Sequence, residues 1–135
     1  MRIVEDTPFA LRVASQWLGV KFAEPCIGLL VLDDENKRPA GAVVLNNYSE
    51  RNIDVSVVGL GCWTPQVIRD IARYVFVKLK CRRVTAVTRA SNLKAMRALE
   101  SLGFVQEGVA PDWFEDGETA IRYGITAARQ RIIRA

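Results

Sequence analysis

The sequence predicts one α/β domain, of α+β type with a mixed sheet, and three local patterns carry that prediction. Antiparallel strands are expected near the N-terminus, a β-α-β unit in the middle and a strand hairpin near the C-terminus. The middle unit is the best defined, because a β-branched run over residues 84–88 passes through a polar turn into a helical pattern that stops at Gly103. Such a run, followed by apolar residues three apart and a closing glycine, is typical of a strand, a turn and a capped helix.

Length and composition favour one compact unit over residues 1–135. Half of the 135 residues are hydrophobic and a quarter are charged, which suffices for one core without metals or disulfides. No apolar run approaches the roughly 18 to 20 residues of a membrane span, and no signal-peptide pattern begins the chain. The expected compartment is therefore the cytoplasm.

The cysteine and histidine counts limit the possible chemistry. Cys26, Cys62 and Cys81 show no CxxC spacing, and the chain has no histidine. We therefore expect reduced cysteines and no metal site. Without histidine, Ser-His and Cys-His catalysis are excluded, so any proton transfer must use Asp, Glu, Tyr, a terminal amine or water.

The charge balance does not point to nucleic acid. The net charge of +4 comes from 19 Lys and Arg against 15 Asp and Glu, and the excess forms no single stripe. The densest group, at residues 78–83, follows a predicted helix, where cations suit the helix dipole. No nucleic-acid motif accompanies it, so nucleic acid is not the expected partner.

The first elements are a helix and a hairpin. An amphipathic helix is predicted over residues 8–20, with Thr7 as its N-cap and Trp17 on its buried side. Trp63 and Trp113 are likewise expected in or beside the core. Apolar runs at residues 27–32 and 40–45 should pair antiparallel, because the connection between them is too short for a parallel crossover.

The central unit combines two strands and a long helix. Alternation over residues 53–57 predicts a half-buried strand, and the glycine-containing turn after it leads into a helix over residues 65–79. The strand at residues 84–88 should then lie parallel to the one at residues 53–57 through a right-handed crossover.

The remaining elements complete the sheet. A third helix is predicted between an Asn92 N-cap and Gly103. Strands at residues 104–109 and 118–126 should form a hairpin, because the Asp-Gly pair at 116–117 is a strong hairpin signal. Within the last strand, Ile121, Tyr123 and Ile125 should face one way and Arg122 the other. Residues 127–135 carry no firm prediction.

Several short signatures then occur in a fixed order: Asn92, Ala95, Gly103-Phe104, Glu107-Gly108, Asp116-Gly117 and Tyr123-Gly124. Together with the order of elements over residues 27–126, they resemble the GNAT superfamily of acetyl-CoA-dependent N-acetyltransferases. The run is most similar to the branch that acetylates protein N-termini and ribosomal proteins, and to small GNAT-like proteins of bacteriophages and their hosts. The resemblance implies a GNAT-like fold.

The resemblance also implies a ligand set. Acetyl-CoA would be the acetyl donor, no metal would take part, and the acceptor would be an amine: a protein N-terminus, a polyamine or another small molecule. A homodimer is one assembly compatible with it. The pantetheine arm would enter where the strands containing Ile53 and Val84 splay apart. The residues implied beside the cofactor are Val57, Val58, Gly59, Gln66, Val67, Ile68, Asn92, Lys94 and Arg97.

Two positions depart from the family pattern. The stretch at residues 59–68, GLGCWTPQVI, stands where the family carries a glycine-rich pyrophosphate loop. Its glycines come early, Trp63 is bulky and Pro65 has no amide, so we expect a degenerate cradle and weakened CoA binding. Leu99 stands where many members carry a Tyr as general acid.

The reaction asks little of the protein beyond holding a thioester beside a neutral amine and removing a proton through water. The catalytic candidates are Asp54 and Tyr123, with Asp112 and Glu115 as further carboxylates. Two interpretations remain open. The chain is an N-acetyltransferase that works by direct attack in a ternary complex, or it is a GNAT-like protein without catalysis that acts through protein contact, as a modulator or a structural component.

Overall fold

The computed structural model describes residues 1–18, 22, 25–35, 38–49, 51–59 and 61–133. Within these residues the chain forms seven strands and three α-helices, the second of which continues as a π-helical segment, Tyr74–Lys78. In chain order they are β1 (Arg2–Glu5), α1 (Thr7–Leu18), β2 (Cys26–Asp33), β3 (Arg38–Asn46), β4 (Asn52–Gly59), α2 (Pro65–Arg73), β5 (Arg83–Arg89), α3 (Leu93–Ser101), β6 (Val105–Ala110) and β7 (Ala120–Thr126).

The seven strands form one sheet in the order β1-β2-β3-β4-β5-β7-β6. Neighbouring strands are antiparallel except β4 and β5, which are parallel and joined through α2. The predicted antiparallel N-terminal strands, central β-α-β unit and C-terminal hairpin are therefore confirmed.

The helices cover the two faces of the sheet unequally. On the face that we call the α1 face, Ala10 and Ala14 pack against Leu30 and Val44. On the opposite face, the α2 face, Val75 packs in a second cluster with core residues of five strands: Leu29, Val43, Leu45, Ile53, Val84 and Ile125. Because side chains alternate along a strand, the sequence pattern of each strand fixes which residues reach which face.

The alternation predicted for the last strand is confirmed. Tyr123 lies opposite Ala86, and both are buried on the α2 face. Arg122 lies opposite Val87 on the α1 face, and both are exposed. The hairpin therefore presents a polar surface on one face and core residues on the other.

Two features at the N-terminal end differ from the prediction. Strand β1 was not predicted, because four residues are too few for a clear alternation pattern. The N-cap of α1 is Asp6, whose Oδ1 accepts from the amide of Phe9 at 3.2 Å. Thr7 instead accepts from the amide of Gly28 at 3.0 Å, which ties the helix to β2. The predicted last two residues of this helix, 19 and 20, lie outside the described residues.

Trp17 and Trp113 also depart from expectation, since 53% and 60% of their surfaces are exposed. Helix α1 lies too close to β2 for large side chains. A Cβ placed on Gly28 would lie 2.6 Å from that of Ala10. The inner side of the helix is therefore built from alanines, and Trp17 lies outside it. Trp63 is half-buried and packs against the core, as predicted.

The predicted second helix is present, but its last turns are π-helical, with the amide of Leu79 donating to the carbonyl of Tyr74 at 2.9 Å. The Tyr74 hydroxyl donates to Glu5, which fastens β1 to this segment. Burial, followed by the contact with Glu5, raises the pKa of Tyr74 to about 12. Among the described residues, no helix is long and apolar enough to cross a membrane.

Candidate acetyl-CoA and acceptor site

The parallel strands β4 and β5 separate halfway along their length. Register pairs join only their first four residues and end at Val55 and Ala86. β4 nevertheless continues to Gly59 and β5 to Arg89. We call the paired half the closed end and the separated half the cleft. The splay implied by the resemblance is therefore present in the described part of the chain.

The last residues of β4 form one wall of the cleft. Val57 lies on the α2 face and is half exposed, whereas Val58 is buried in the cluster under α1. Gly59 has φ +146°, and a Cβ on it would lie 2.7 Å from the Sγ of Cys62. A side chain is thus excluded at Gly59, and the edge of β4 that faces β5 is left without strand partners beyond Val55.

The N-terminus of α2 offers fewer free amides than predicted. Thr64 is its N-cap, and its hydroxyl accepts from the amide of Val67 at 3.2 Å. Its carbonyl accepts from the amide of Ile68 at 3.0 Å, and Pro65 has no amide. Among the amides of the three predicted cofactor residues of this helix, Gln66, Val67 and Ile68, only that of Gln66 has no partner at the start of the helix.

A groove between α2 and α3 contains two arginines that sequence reasoning missed. Its volume is about 270 Å³, and it is lined by Pro65, Ile68, Arg69, Ser101, Leu102, Arg131 and Ile132. Arg69 donates to the Gln66 side chain at 3.2 Å, and Arg131 donates to backbone carbonyls. Neither arginine forms a salt bridge within the described residues. Arg131 was missed because the segment containing it had no predicted structure.

Three residues at or in α3 were predicted beside the cofactor, and the structure places one at the helix start and two away from the groove. Asn92 is the N-cap, since its Oδ1 accepts from the amide of Ala95 at 3.1 Å. Lys94 and Arg97 are not among the residues that line the groove. Gly103, with φ +98°, ends the helix as predicted.

The two predicted catalytic residues lie on opposite faces of the sheet. Asp54 is on the α1 face, where its carboxylate accepts from the side-chain amides of Asn47 at 2.9 Å and Asn52 at 3.0 Å. Tyr123 is buried on the α2 face and donates to Glu100 at 3.0 Å. Burial, followed by the contact with Glu100, raises the pKa of Tyr123, so its hydroxyl is protonated at neutral pH.

Asp54 belongs to a polar network at the closed end. Asn52 Oδ1 accepts from the hydroxyl of Thr85 at 2.7 Å and from Arg83 Nε at 3.1 Å. Arg83 also forms a salt bridge with Glu107 of β6. That bridge crosses over Gly124, where a Cβ would overlap both side chains. The glycine is what allows a β5 side chain to reach a β6 side chain across β7.

Arg89 connects the loop between β6 and β7 to the edge of the cleft, and sequence reasoning did not predict these contacts. Arg89, the last residue of β5, donates to Asp116 at 2.8 Å and to Glu118 at 2.9 Å. Its guanidinium lies 4.2 Å from the ring centre of Phe114. Glu118 also accepts from the amide of Ser91 at 2.9 Å. The loop is thereby attached to the end of β5 and to the start of the α3 turn.

These contacts set the charge of the loop. The bonds from the amide of Glu118 and from Arg89 lower the pKa of Asp116. The bonds from Ser91 and Arg89 lower the pKa of Glu118. Both carboxylates are therefore ionised at neutral pH and share one guanidinium, which leaves one negative charge uncompensated. The other carboxylate candidates on this loop, Asp112 and Glu115, are exposed. Within the described residues no group of three or more His, Cys, Asp or Glu could hold a metal ion.

Solved structures share this architecture across nearly the whole chain. Mutant forms of the spermidine/spermine N-acetyltransferase SpeG from Vibrio cholerae superpose with a TM-score of 0.77 at 17% identity, covering 93% of this chain and 94% of that one. The same enzyme in complex with manganese ions gives a TM-score of 0.75 at 18% identity, covering 92% and 91%. Its dodecameric form in an intermediate state gives 0.76 at 16% identity, covering 93% of each. No family model and no curated protein sequence matches the chain.

The strand order, the splayed parallel pair and these superpositions define the class of fold. The chain has the GNAT fold of N-acetyltransferases, as the resemblance implied. At these levels of identity the likeness establishes the fold and leaves the activity to be argued from the site.

Proposed function

We propose that this protein transfers the acetyl group of acetyl-CoA to an amine by direct attack in a ternary complex. The observation that carries the proposal is the cleft between β4 and β5, where the pairing ends at Val55 and Ala86 while both strands continue. An unpaired strand edge offers backbone donors and acceptors to an extended ligand, in the way that a missing strand would use them. The amide-containing pantetheine arm is such a ligand.

The cofactor would lie on the α2 face. The pantetheine would follow Val57, Val58 and Gly59, and the phosphates would reach the amide of Gln66 and the two guanidinium groups of the α2–α3 groove. Guanidinium groups suit phosphate oxygens because they donate two parallel hydrogen bonds. Val67, Ile68 and Asn92 would shape the helix ends nearby, with Lys94 and Arg97 at the outer, nucleotide end.

The acceptor would approach from the α1 face. Asp54 lies on that face next to Val55, the last residue of β4 that pairs with β5, so it is the carboxylate placed to take the amine proton through a water molecule. Tyr123, on the other face, would support the thioester side as a hydrogen-bonding group. The reaction needs no metal: the amine nitrogen bonds to the acetyl carbon, the C–S bond breaks, and the CoA thiolate takes up a proton.

The test combines binding and turnover. Acetyl-CoA at 100 times its Kd should stabilise the protein by roughly 2.7 kcal/mol, seen as a rise in Tm. Arg69→Glu and Arg131→Glu should each reduce that rise, whereas Arg82→Glu, an exposed arginine after α2, should not. Free CoA thiol should then appear when amines are added. No rise in Tm at millimolar acetyl-CoA would refute the proposal.

One observation favours the alternative of a non-catalytic GNAT-like protein that acts through protein contact. Thr64 and Pro65 leave a single free amide at the start of α2, so the usual pyrophosphate cradle is reduced. The same experiment separates the two functions. Binding of acetyl-CoA without thiol release across protein N-terminal peptides, polyamines and amino acids would support the alternative.

A further inference from the structure

A small cavity on the α1 face adjoins the cleft and has one charged residue in its lining. Its volume is about 110 Å³, and it is lined by Val87, Gly108, Val109, Ala110, Trp113, Ala120 and Arg122. Val87 is the first β5 residue beyond the paired half, so the cavity begins where the strands separate. An acceptor approaching the cleft from this face would meet this cavity.

Arg122 differs from the two arginines of β5 on this face. Arg83 is paired with Glu107, and Arg89 is paired with Asp116 and Glu118. Arg122 has no carboxylate partner among the described residues. Its charge is therefore available to a ligand.

The Arg122 guanidinium lies beside the backbone of Gly108. A Cβ placed on Gly108 would lie 3.3 Å from Nη2 and 3.7 Å from Cζ of Arg122, so the guanidinium lies over the bare backbone of that glycine. A register irregularity in β6 between Gln106 and Gly108 puts the glycine opposite Arg122. The guanidinium is thus laid along the cavity wall.

The rest of the lining is apolar. Val87 is 39% exposed and Trp113 is 60% exposed, and the floor consists of small residues. On the nearby loop, Asp116 and Glu118 share the single guanidinium of Arg89, so Arg122 is the cationic side chain that lines the cavity itself. A cavity of this size takes the carboxylate and the adjoining carbon atoms of a ligand.

We infer that Arg122 binds the carboxylate of the acceptor, and that the acceptor is an amino-acid-like amine with a compact apolar or aromatic body. The inference rests on the proposed function for the identity of the bound amine, but the anion site itself does not depend on turnover. A bidentate guanidinium–carboxylate contact at Arg122 would fix the acceptor on the α1 face, with its apolar body against Trp113 and its amine toward the cleft.

The first experiment measures binding without acetyl-CoA. N-acetyl-phenylalanine and its neutral amide are titrated by calorimetry, with the Nε–H resonance of Arg122 followed by NMR. The acid should bind at least tenfold tighter than the amide and should shift the Arg122 resonance. Arg122→Gln should abolish the difference, and Arg82→Gln should leave it intact. Equal binding, no binding of either probe, or an unchanged ratio in Arg122→Gln would overturn the inference.

The second experiment measures turnover. Thiol release from acetyl-CoA should show a higher kcat/KM with phenylalanine than with phenylalaninamide or spermidine, and Arg122→Gln should remove the preference for the acid. A preference for spermidine would overturn the inference while supporting acetyl transfer. Acid-selective binding without turnover of any amine would refute the proposed function and leave the anion site standing.

Discussion

The two halves of the β4–β5 pair are built from the same strands but have opposite characters. At the closed end, Asn52, Thr85 and Arg83 satisfy one another in a continuous network that extends to Glu107. At the cleft, the strand edge of β4 has no partner in β5, and Val57 and Val87 are exposed.

The paired half and the separated half of these two strands should therefore contribute differently to stability and to ligand binding. Polar groups that are satisfied within the fold stabilise it and have little left for a ligand, whereas unsatisfied groups and exposed apolar side chains are the ones that a ligand can use. Substitutions at the closed end should therefore change the free energy of unfolding, and substitutions at the cleft should change affinity.

The largest effect on stability is expected from Asn52→Leu. The substitution leaves Thr85, Arg83 and Asp54 without their shared partner in a half-buried site, at a cost of about 2 kcal/mol. Urea denaturation measures the loss, and Val87→Ala at the cleft is the control, expected within about 0.5 kcal/mol of wild type. A loss in Asn52→Leu no larger than that of the control would contradict the contrast between the two ends.

The matching substitution at the cleft is Val57→Glu. Its carboxylate would stand beside the cofactor's path, so the Kd for acetyl-CoA should rise by about tenfold, which corresponds to about 1.4 kcal/mol. Stability should change little, because half of the Val57 surface is already exposed. Val77→Glu, at a similarly exposed valine in the π-helical segment, is the matched control and should not alter the Kd measured by calorimetry. An equal effect of both variants would mean that net charge, not the cleft, governs binding.

Sequence patterns predicted the strands and helices that form the two ends of the β4–β5 pair, but not the side-chain contacts of the candidate site. The β-branched run at residues 84–88 and the Asn92 cap specify local geometry, and both are confirmed. The C-terminal hairpin is confirmed too, but residues 111–119 connect its strands in place of a tight Asp-Gly turn. β1 escaped because four residues make no clear pattern. The Asp6 cap was not predicted because its neighbour Thr7 is also a favourable N-cap residue. The two are distinguished by the contact of Thr7 with Gly28, which is distant in sequence.

The site was less predictable because its arginines act through distant partners. Arg89 meets residues 27 and 29 positions away, and nothing local to it signals those contacts. The acidic residues around the predicted Asp-Gly turn were the available hint. Arg122 was placed on the correct face by alternation alone. Its lack of a partner became visible only when the pairs of Arg83 and Arg89 were known.

A smaller effect is expected from Arg89→Gln, which tests whether the β6–β7 loop is a wall of the acceptor site. Losing the contacts with Asp116, Glu118 and Phe114 should loosen the loop that carries Trp113, and KM for the acceptor should rise about threefold to tenfold. The Kd for acetyl-CoA should stay unchanged, because the proposed cofactor site lies on the α2 face. Arg82→Gln is the control. A change confined to the Kd for acetyl-CoA would show that the loop borders the cofactor site and not the acceptor site.

The smallest effect is the pH dependence of this loop. The pKa values of Asp116 and Glu118 are lower in the folded state, so their contacts add stability above the unfolded pKa values, and that stability is lost as the pH falls through the folded ones. In Arg89→Gln the hydrogen bonds from the backbone amides of Glu118 and Ser91 remain, so the pKa values of Asp116 and Glu118 should be lowered less than in wild type. The Tm of wild type should therefore exceed that of Arg89→Gln at pH 6, and the gap should narrow between roughly pH 5 and pH 3. A gap that stays constant across this range would show that the guanidinium holds the loop by stacking on Phe114 and not by charge.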